Sequence, residues 1–188
     1  MGLSDFKFKG WLITSTSVFL KEKIGEDYVQ NSLIGYFKEQ EIKSNVWYPV
    51  YPAIQWLYDS AVKSNISFGE LVRNNSRFVT ATEISDVGRF FMKLSGPRRI
   101  FDAIPQICNS NFNWIQINNL ENKKGCYRDE VVLPERFCEF YLFSLEGVID
   151  VLLSICGKSV REFNIDKRQK FMKDEIEYIR ISYTVSYS

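Results

Sequence analysis

The sequence contains no histidine among its 188 residues. Histidine serves as general base in Ser-His-Asp and Cys-His triads, ligates haem iron and completes many metal sites, so these arrangements are excluded. Two phosphate-binding patterns are missing as well, the Walker A run and the G-x-G-x-x-G sequence. We therefore expect a protein that is not an enzyme, with no catalytic residues and no cofactor.

Cysteine is sparse and widely spaced, at Cys108, Cys126, Cys138 and Cys156. No two cysteines form a C-x-x-C pair, so a zinc site has no local scaffold, and we expect no metal ligands. Buried free thiols behave as small apolar groups. We predict that all four are reduced and unpaired, and that Cys138 and Cys156 react slowly because their helix is apolar.

Long apolar runs and an excess of one charge are also missing. No run approaches the roughly 20 residues of a membrane span, and no secretory signal pattern is visible, so we expect a cytoplasmic protein without a transmembrane segment. Net charge is +1, from 24 basic and 23 acidic residues. Nucleic-acid binding normally needs a basic domain or stripe, and we expect no nucleic-acid partner.

Aromatic residues are abundant, at 15% of the chain, and the last third has a clear pattern. Two strand-like runs are followed by a helix that is apolar almost all round and by two further alternating runs. Such a helix must be covered on both sides. The elements of this unit are Trp114–Leu120, Cys126–Leu133, Glu135–Cys156, Val160–Ile165 and Ile176–Tyr187.

The sequence thus predicts an α+β fold, in which an N-terminal helical layer packs on a C-terminal antiparallel β-β-α-β-β unit. We expect one domain over residues 1–188, helical over about 6–111 and β-β-α-β-β over about 112–188. Ser15 or Thr16 is expected to cap the first helix. The basic segment Lys167–Lys173 is interpreted as a solvated loop, and Ser95–Arg99 as a break between helices.

Two features of the long helix have competing explanations. Gly147 costs stability in mid-helix, which close approach of another backbone or of a bound molecule would offset, and we favour close packing. Glu135 with Glu139, and Glu146 with Asp150, are spaced i,i+4 and share a face. Paired carboxylates can perform acid-base chemistry, but we favour a polar stripe at the solvent or at a cavity rim.

The order of landmarks carries a resemblance. Lys9-Gly-Trp11, Gly25, Trp47-Tyr48-Pro49, Gly96-Pro97-Arg98, the hairpin, Pro134 and Gly147 follow one another over roughly residues 6 to 187. Together they resemble a bacterial family of unknown function that is expanded in myxobacteria. That family is similar to the haem-NO-binding, 4-vinyl reductase and TRAPP-subunit domains.

This resemblance implies a fold with an apolar cavity between helices and sheet, and in some relatives dimerisation through helices. The haem-binding relatives ligate iron through a helical histidine, which this sequence lacks. Many 4-vinyl-reductase-type domains carry a cysteine where this chain has Lys173–Tyr178. We therefore carry over the cavity and the scaffold, but not the haem or the metal.

Two hypotheses about function remain open. The first is a non-catalytic domain that binds a small apolar ligand or senses one, with a pocket lined by Trp47, Tyr51, Trp56, Phe90, Phe91, Phe140, Tyr141 and Ser144. The alternative is a protein-protein interaction adaptor or homodimerising scaffold whose core is filled. An aromatic-rich segment can serve either purpose, since large rings suit both a core and a pocket wall.

Overall fold

A computed structural model describes residues 3–38 and 41–188. This part of the chain forms six α-helices and six strands. The helices are α1 (Trp11–Ile24), α2 (Glu26–Phe37), α3 (Val50–Ser64), α4 (Phe68–Glu83), α5 (Asp86–Asn111) and α6 (Cys138–Ile155). The strands are β1 (Lys7–Lys9), β2 (Trp47–Pro49), β3 (Gln116–Lys123), β4 (Cys126–Pro134), β5 (Val160–Lys173) and β6 (Ile176–Tyr187).

The C-terminal strands form an antiparallel sheet in the order β3-β4-β6-β5, and β1 pairs with β2 in a small separate ribbon. Alternate residues of β4 and β6 face the core, as expected for a sheet covered on one face. Tyr127, Val131 and Ile181 have no exposed surface. Helical N-terminal layer, covered helix and four-stranded sheet match the predicted α+β arrangement, which is confirmed.

Helix α6 is buried on nearly every side, and only Glu139 and Ser154 among its residues are exposed. On one side it packs against α4. A Cβ at Gly147 would lie 2.5 Å from the carbonyl oxygen of Arg73 and 2.9 Å from Cβ of Ser76. The prediction that Gly147 permits close packing is confirmed. On the other side, Ile149 belongs to the hydrophobic core that also contains residues of the sheet.

Local signals fix several helix ends. Ser67 Oγ accepts from the backbone N–H of Glu70 and starts α4, and Ser85 starts α5 in the same way through Gly88. Gly96 interrupts α5 with a φ of 74°, a left-handed conformation that suits glycine. The predicted break at Ser95–Arg99 is therefore a kink within α5.

Two local predictions were wrong. Helix α1 begins at Trp11, so Ser15 and Thr16 lie inside it rather than capping it, and both are buried against α4. The basic segment Lys167–Lys173 is part of β5, where it pairs with β6. Its side chains are mostly exposed, which is why its composition suggested a loop.

Among the described residues, no helix combines the length and the apolarity that crossing a bilayer requires.

Candidate functional site

A cavity of about 310 Å³ lies between α1, α3, α4, α5 and α6, and reaches the segment that leads into β3. This volume falls within the range of small-molecule pockets. Its wall is largely apolar, with Leu12 and Ile13 from α1, Leu57 from α3, Ile104 from α5 and Leu145 from α6. The arrangement gives a largely apolar pocket among the helices.

Four of the eight residues proposed from the sequence line this cavity: Trp56, Phe140, Tyr141 and Ser144. Trp56 is fully buried, and its indole N–H donates to Ser32 Oγ at 2.8 Å. The other three come from consecutive turns of α6, which places them along one wall. Whether these residues bind a ligand remains a prediction.

The remaining four, Trp47, Tyr51, Phe90 and Phe91, lie outside the cavity wall and are exposed. Trp47 lies on the β1-β2 ribbon, with Lys9 Nζ 4.4 Å from its ring centroid. Phe90 and Phe91 lie on the outer face of α5 before its kink, and are 60% and 61% exposed. Aromatic character alone did not reveal on which face of each element these side chains lie.

The cavity also has polar wall residues that sequence reasoning missed. Asn75 of α4 donates through Nδ2 to Thr16 Oγ1 at 3.0 Å, and both residues are buried. Trp11 donates through its indole N–H to Asn111 Oδ1 at 2.8 Å. Asn75 lies four residues from both Leu71 and Val79, on the same face of α4. This spacing was the signal in the sequence that its amide is buried.

Near the cavity, the sheet holds a buried carboxyl group. Asp129 has no exposed surface, and its carboxylate accepts from the Tyr127 hydroxyl, from the Tyr183 hydroxyl at 3.1 Å and from Asn119 Nδ2 at 3.1 Å. Burial raises the pKa of Asp129 to about 6, although the three donors act to lower it. The alternation Tyr127, Asp129, Val131 was a period-2 signal that this aspartate faces the core.

Tyr141 and Cys108 line the cavity and interact electrostatically with Asp129. Burial raises the pKa of the Tyr141 hydroxyl well above its ordinary value. Burial and the negative charge of Asp129 raise the pKa of the Cys108 thiol to about 12. Both groups are therefore held in their neutral, protonated forms at neutral pH.

Three of the four carboxylates that the sequence assigned to the long helix, Glu135, Glu146 and Asp150, form ion pairs. Glu146 pairs with Arg73, and Asp150 Oδ2 lies 2.5 Å from Arg77 Nη2, so α6 is joined to α4 at the surface. Glu135 Oε1 lies 3.0 Å from Lys170 Nζ. These contacts support the interpretation as a polar stripe. Within residues 3–38 and 41–188, no cluster of three or more potential metal ligands occurs, and the four cysteines are free thiols.

Fold comparison gives the class of the domain. No protein-family model and no curated protein matches this sequence. Solved structures do match over nearly the whole chain, and all those below belong to one class, the H-NOX domains. The chain has the H-NOX fold, an α+β arrangement of helices and antiparallel sheet.

Three of these structures illustrate the similarity. F78L Tt H-NOX superimposes with a TM-score of 0.68 at 15% identity, covering 96% of this chain and 95% of that one. An oxygen-binding H-NOX domain related to soluble guanylate cyclases, solved as its oxygen complex, gives 0.65 at 14%, with 94% of each chain covered. The Fe(II) unliganded H-NOX protein from K. algicida gives 0.62 at 16%, with 96% of each covered.

Because structures that match this chain include ones described for haem distortion, the cavity residues can be compared with what haem requires. The chain has no histidine to bind iron. Other side chains that can serve as axial ligands, Cys108, Tyr141 and Met92, do line the cavity. No lysine or arginine belongs to the cavity wall formed by the described residues, and Glu83 brings a negative charge to its edge. The two carboxylates of haem would have no cation to meet, so the residues do not fit haem.

Proposed function

We propose that this domain is a non-catalytic sensory or ligand-binding module, which takes a small, largely apolar molecule into the helical cavity and carries no haem. The observation that carries the proposal is the cavity itself, about 310 Å³ and lined mostly by apolar side chains. The H-NOX structures support a sensory use, because one of them is an oxygen-binding domain.

Further elements belong to the same proposal. A cytoplasmic, bacterial protein related to the myxobacterial family and to the 4-vinyl reductase domains would fit the resemblance, as would a homodimer formed through helices. Absence of enzymatic activity is also proposed, since Glu146 and Asp150 of α6 pair with arginine and the sequence contains no histidine.

Native mass spectrometry of protein purified from cells tests the proposal directly, by showing any small molecule that stays bound. Ser144→Trp should fill the cavity and remove the bound mass while the protein stays folded. Ser154→Trp is the matched control, because Ser154 lies on the same helix but is exposed, and it should leave binding unchanged.

Thermal unfolding gives a second measurement. A ligand that binds only the folded state stabilises it by about 2.7 kcal/mol at a hundredfold excess over its dissociation constant. Ser144→Trp should abolish that increase. A Soret band in the purified protein would contradict the absence of haem, and unfolding of the Ser144→Trp variant through overpacking would favour a filled interior.

A second candidate function is protein interaction through α5. Val87, Phe90, Phe91 and Leu94 are each at least 60% exposed and recur at helical spacing, which makes one apolar stripe. Scattered exposed apolar residues are common, but a continuous stripe favours a binding surface. Sedimentation analysis of the Phe90→Ser, Phe91→Ser double variant tests this candidate. A self-associating protein should become monomeric, and an unchanged distribution would count against it.

A further inference from the structure

Three residues of the cavity wall, Trp114, Asn75 and Tyr141, each carry a polar atom without a hydrogen-bond partner among the described residues. Trp114, 4% exposed, has no acceptor for its indole N–H among the described residues. Asn75, 7% exposed, has no donor for its Oδ1, although its Nδ2 is bonded to Thr16. Unpaired buried polar atoms are rare in native proteins because each loses its hydration without compensation.

The unpaired atoms of Trp114 and Asn75 require opposite chemistry, whereas the Tyr141 hydroxyl can either donate or accept. An indole N–H can only donate, so it needs an acceptor, whereas an amide oxygen only accepts, so it needs a donor. A hydroxyl or other polar uncharged group can satisfy either of them. An entirely apolar occupant would leave both unpaired.

Trp114 and Asn75 lie in different regions of the cavity. The Trp114 ring lies 5.2 Å from the ring of Phe137, which immediately precedes α6. Asn75 precedes Ser76, which faces Gly147. Gly147 is nine residues after Cys138, roughly 14 Å along the helix at 1.5 Å per residue. Trp114 and Asn75 therefore lie beside different parts of α6, and the wall between them includes Tyr141 and Ser144 as well as the apolar Leu145.

Charge on the occupant is disfavoured. The cavity wall formed by described residues contains no lysine or arginine, and an anion placed there would be buried without a counterion. Glu83, the wall's ionisable carboxyl group, is exposed and accepts from Ser15. An uncharged occupant needs no counterion, so the lack of lysine and arginine in the wall does not oppose its binding.

We propose that the ligand of this cavity is an uncharged amphipathic molecule, with an apolar body, an acceptor group for the Trp114 N–H and a donor group for Asn75 Oδ1. This inference rests on the proposed function, because it assigns the chemistry of the molecule that the cavity takes. It also assigns Trp114 as a binding residue, which its aromatic character alone would place in the core.

Three simple probes separate the contributions: toluene, which is apolar; 1-octanol, which adds one hydroxyl; and octanoate, which adds a charge. Affinities are measured by calorimetric titration at neutral pH. We expect 1-octanol to bind more tightly than octanoate by at least about tenfold. Trp114→Phe should weaken 1-octanol binding by about fivefold, the loss of one ordinary hydrogen bond, and change toluene binding less than twofold.

Trp56→Phe is the matched control. Trp56 also lines the cavity and loses the same ring on substitution, but its N–H is already bonded to Ser32. The ratio of 1-octanol to toluene affinity should therefore stay as in the unchanged protein. Asn75→Leu should reduce the preference for 1,8-octanediol over 1-octanol, which tests the second polar end.

A measurement on the unchanged protein removes any dependence on variant folding. The chain has four tryptophans, so their indole N–H signals are readily separated by ¹⁵N-resolved NMR. Addition of 1-octanol should shift the Trp114 indole proton downfield, and toluene should not.

The outcomes distinguish this inference from the proposed function. If neither toluene nor 1-octanol binds, the ligand-binding function itself is wrong. If both bind but octanoate binds equally well, or if the Trp114 signal responds to both probes alike, the cavity binds ligands and the assigned chemistry is overturned.

Discussion

Asp129 gives a pH dependence of stability whose sign is opposite to that of most carboxylates. Its carboxyl group is fully buried in the sheet, and burial raises its pKa from an ordinary 3.8 to about 6. The folded protein therefore binds this proton more tightly than the unfolded chain does. The contribution to stability is complete below about pH 4 and is lost as the pH rises through about 6.

The magnitude follows from the two pKa values. The interval between 3.8 and about 6, at 1.36 kcal/mol for each pH unit, corresponds to roughly 3 kcal/mol. Asn is isosteric with the protonated acid and does not titrate. Asp129→Asn should therefore be more stable than the unchanged protein at pH 7, by up to that amount, and should lose the advantage near pH 4.

Urea unfolding at half-unit steps from pH 4 to pH 7.5 is the assay. The difference in unfolding free energy between Asp129→Asn and the unchanged protein cancels the other carboxylates, whose titration both proteins share. It should grow with pH and level off above about 6.5. A difference that is constant with pH, or that favours the aspartate at pH 7, would show that the Tyr127 and Tyr183 hydroxyls stabilise the charged form more than burial opposes it.

Three further predictions follow from packing and burial. Gly147→Ala should destabilise the fold by at least about 2 kcal/mol in chemical denaturation, because its Cβ would meet the Arg73 backbone; Gly35→Ala, where the Cβ meets nothing within 4 Å, should be neutral or stabilising by up to about 1 kcal/mol. Equal effects of the two would contradict the close packing. Glu146→Gln should cost less than about 1 kcal/mol, because its pair with Arg73 is about one-third exposed; a larger loss would mean that the pair is shielded from solvent. Cys108 and Cys138 should react slowly with iodoacetamide in native protein, since burial raises both thiol pKa values, and labelling as fast as in denatured protein would refute it.

The architecture was predictable because its strongest signals are periodic. Helix α6 is apolar on most faces over five turns, and β4 and β6 alternate, so element type and layering follow from one-dimensional patterns. The basic segment of β5 was missed because pairing with β6 outweighs a polar composition that by itself indicates a loop. Strand formation there depends on pairing with β6 across the tight turn at Asp174 and Glu175.

The candidate site was only half predictable, for a related reason. Phe140, Tyr141 and Ser144 lie on a helix whose buried faces were evident, whereas Phe90 and Phe91 lie on a helix broken at Gly96. Because the helix changes direction at Gly96, the buried face after the kink does not continue the same face before it. The apolar pattern therefore did not show that Phe90 and Phe91 face solvent. Asn75 and Trp114 were missed because their unpaired atoms appear only when helices from distant parts of the chain enclose the same volume.

Strand β5 ends the sheet and leaves one edge without a neighbour among the described strands. Such an edge is a template for pairing with a second chain, and lysines placed along it are one way in which proteins prevent this. The second half of this strand carries four basic residues, Lys167, Arg168, Lys170 and Lys173. Lys170 is paired with Glu135 and Glu177, so Lys167, Arg168 and Lys173 supply the charge that would repel a second copy at this edge. We therefore expect the basic segment to disfavour pairing of β5 with a second chain.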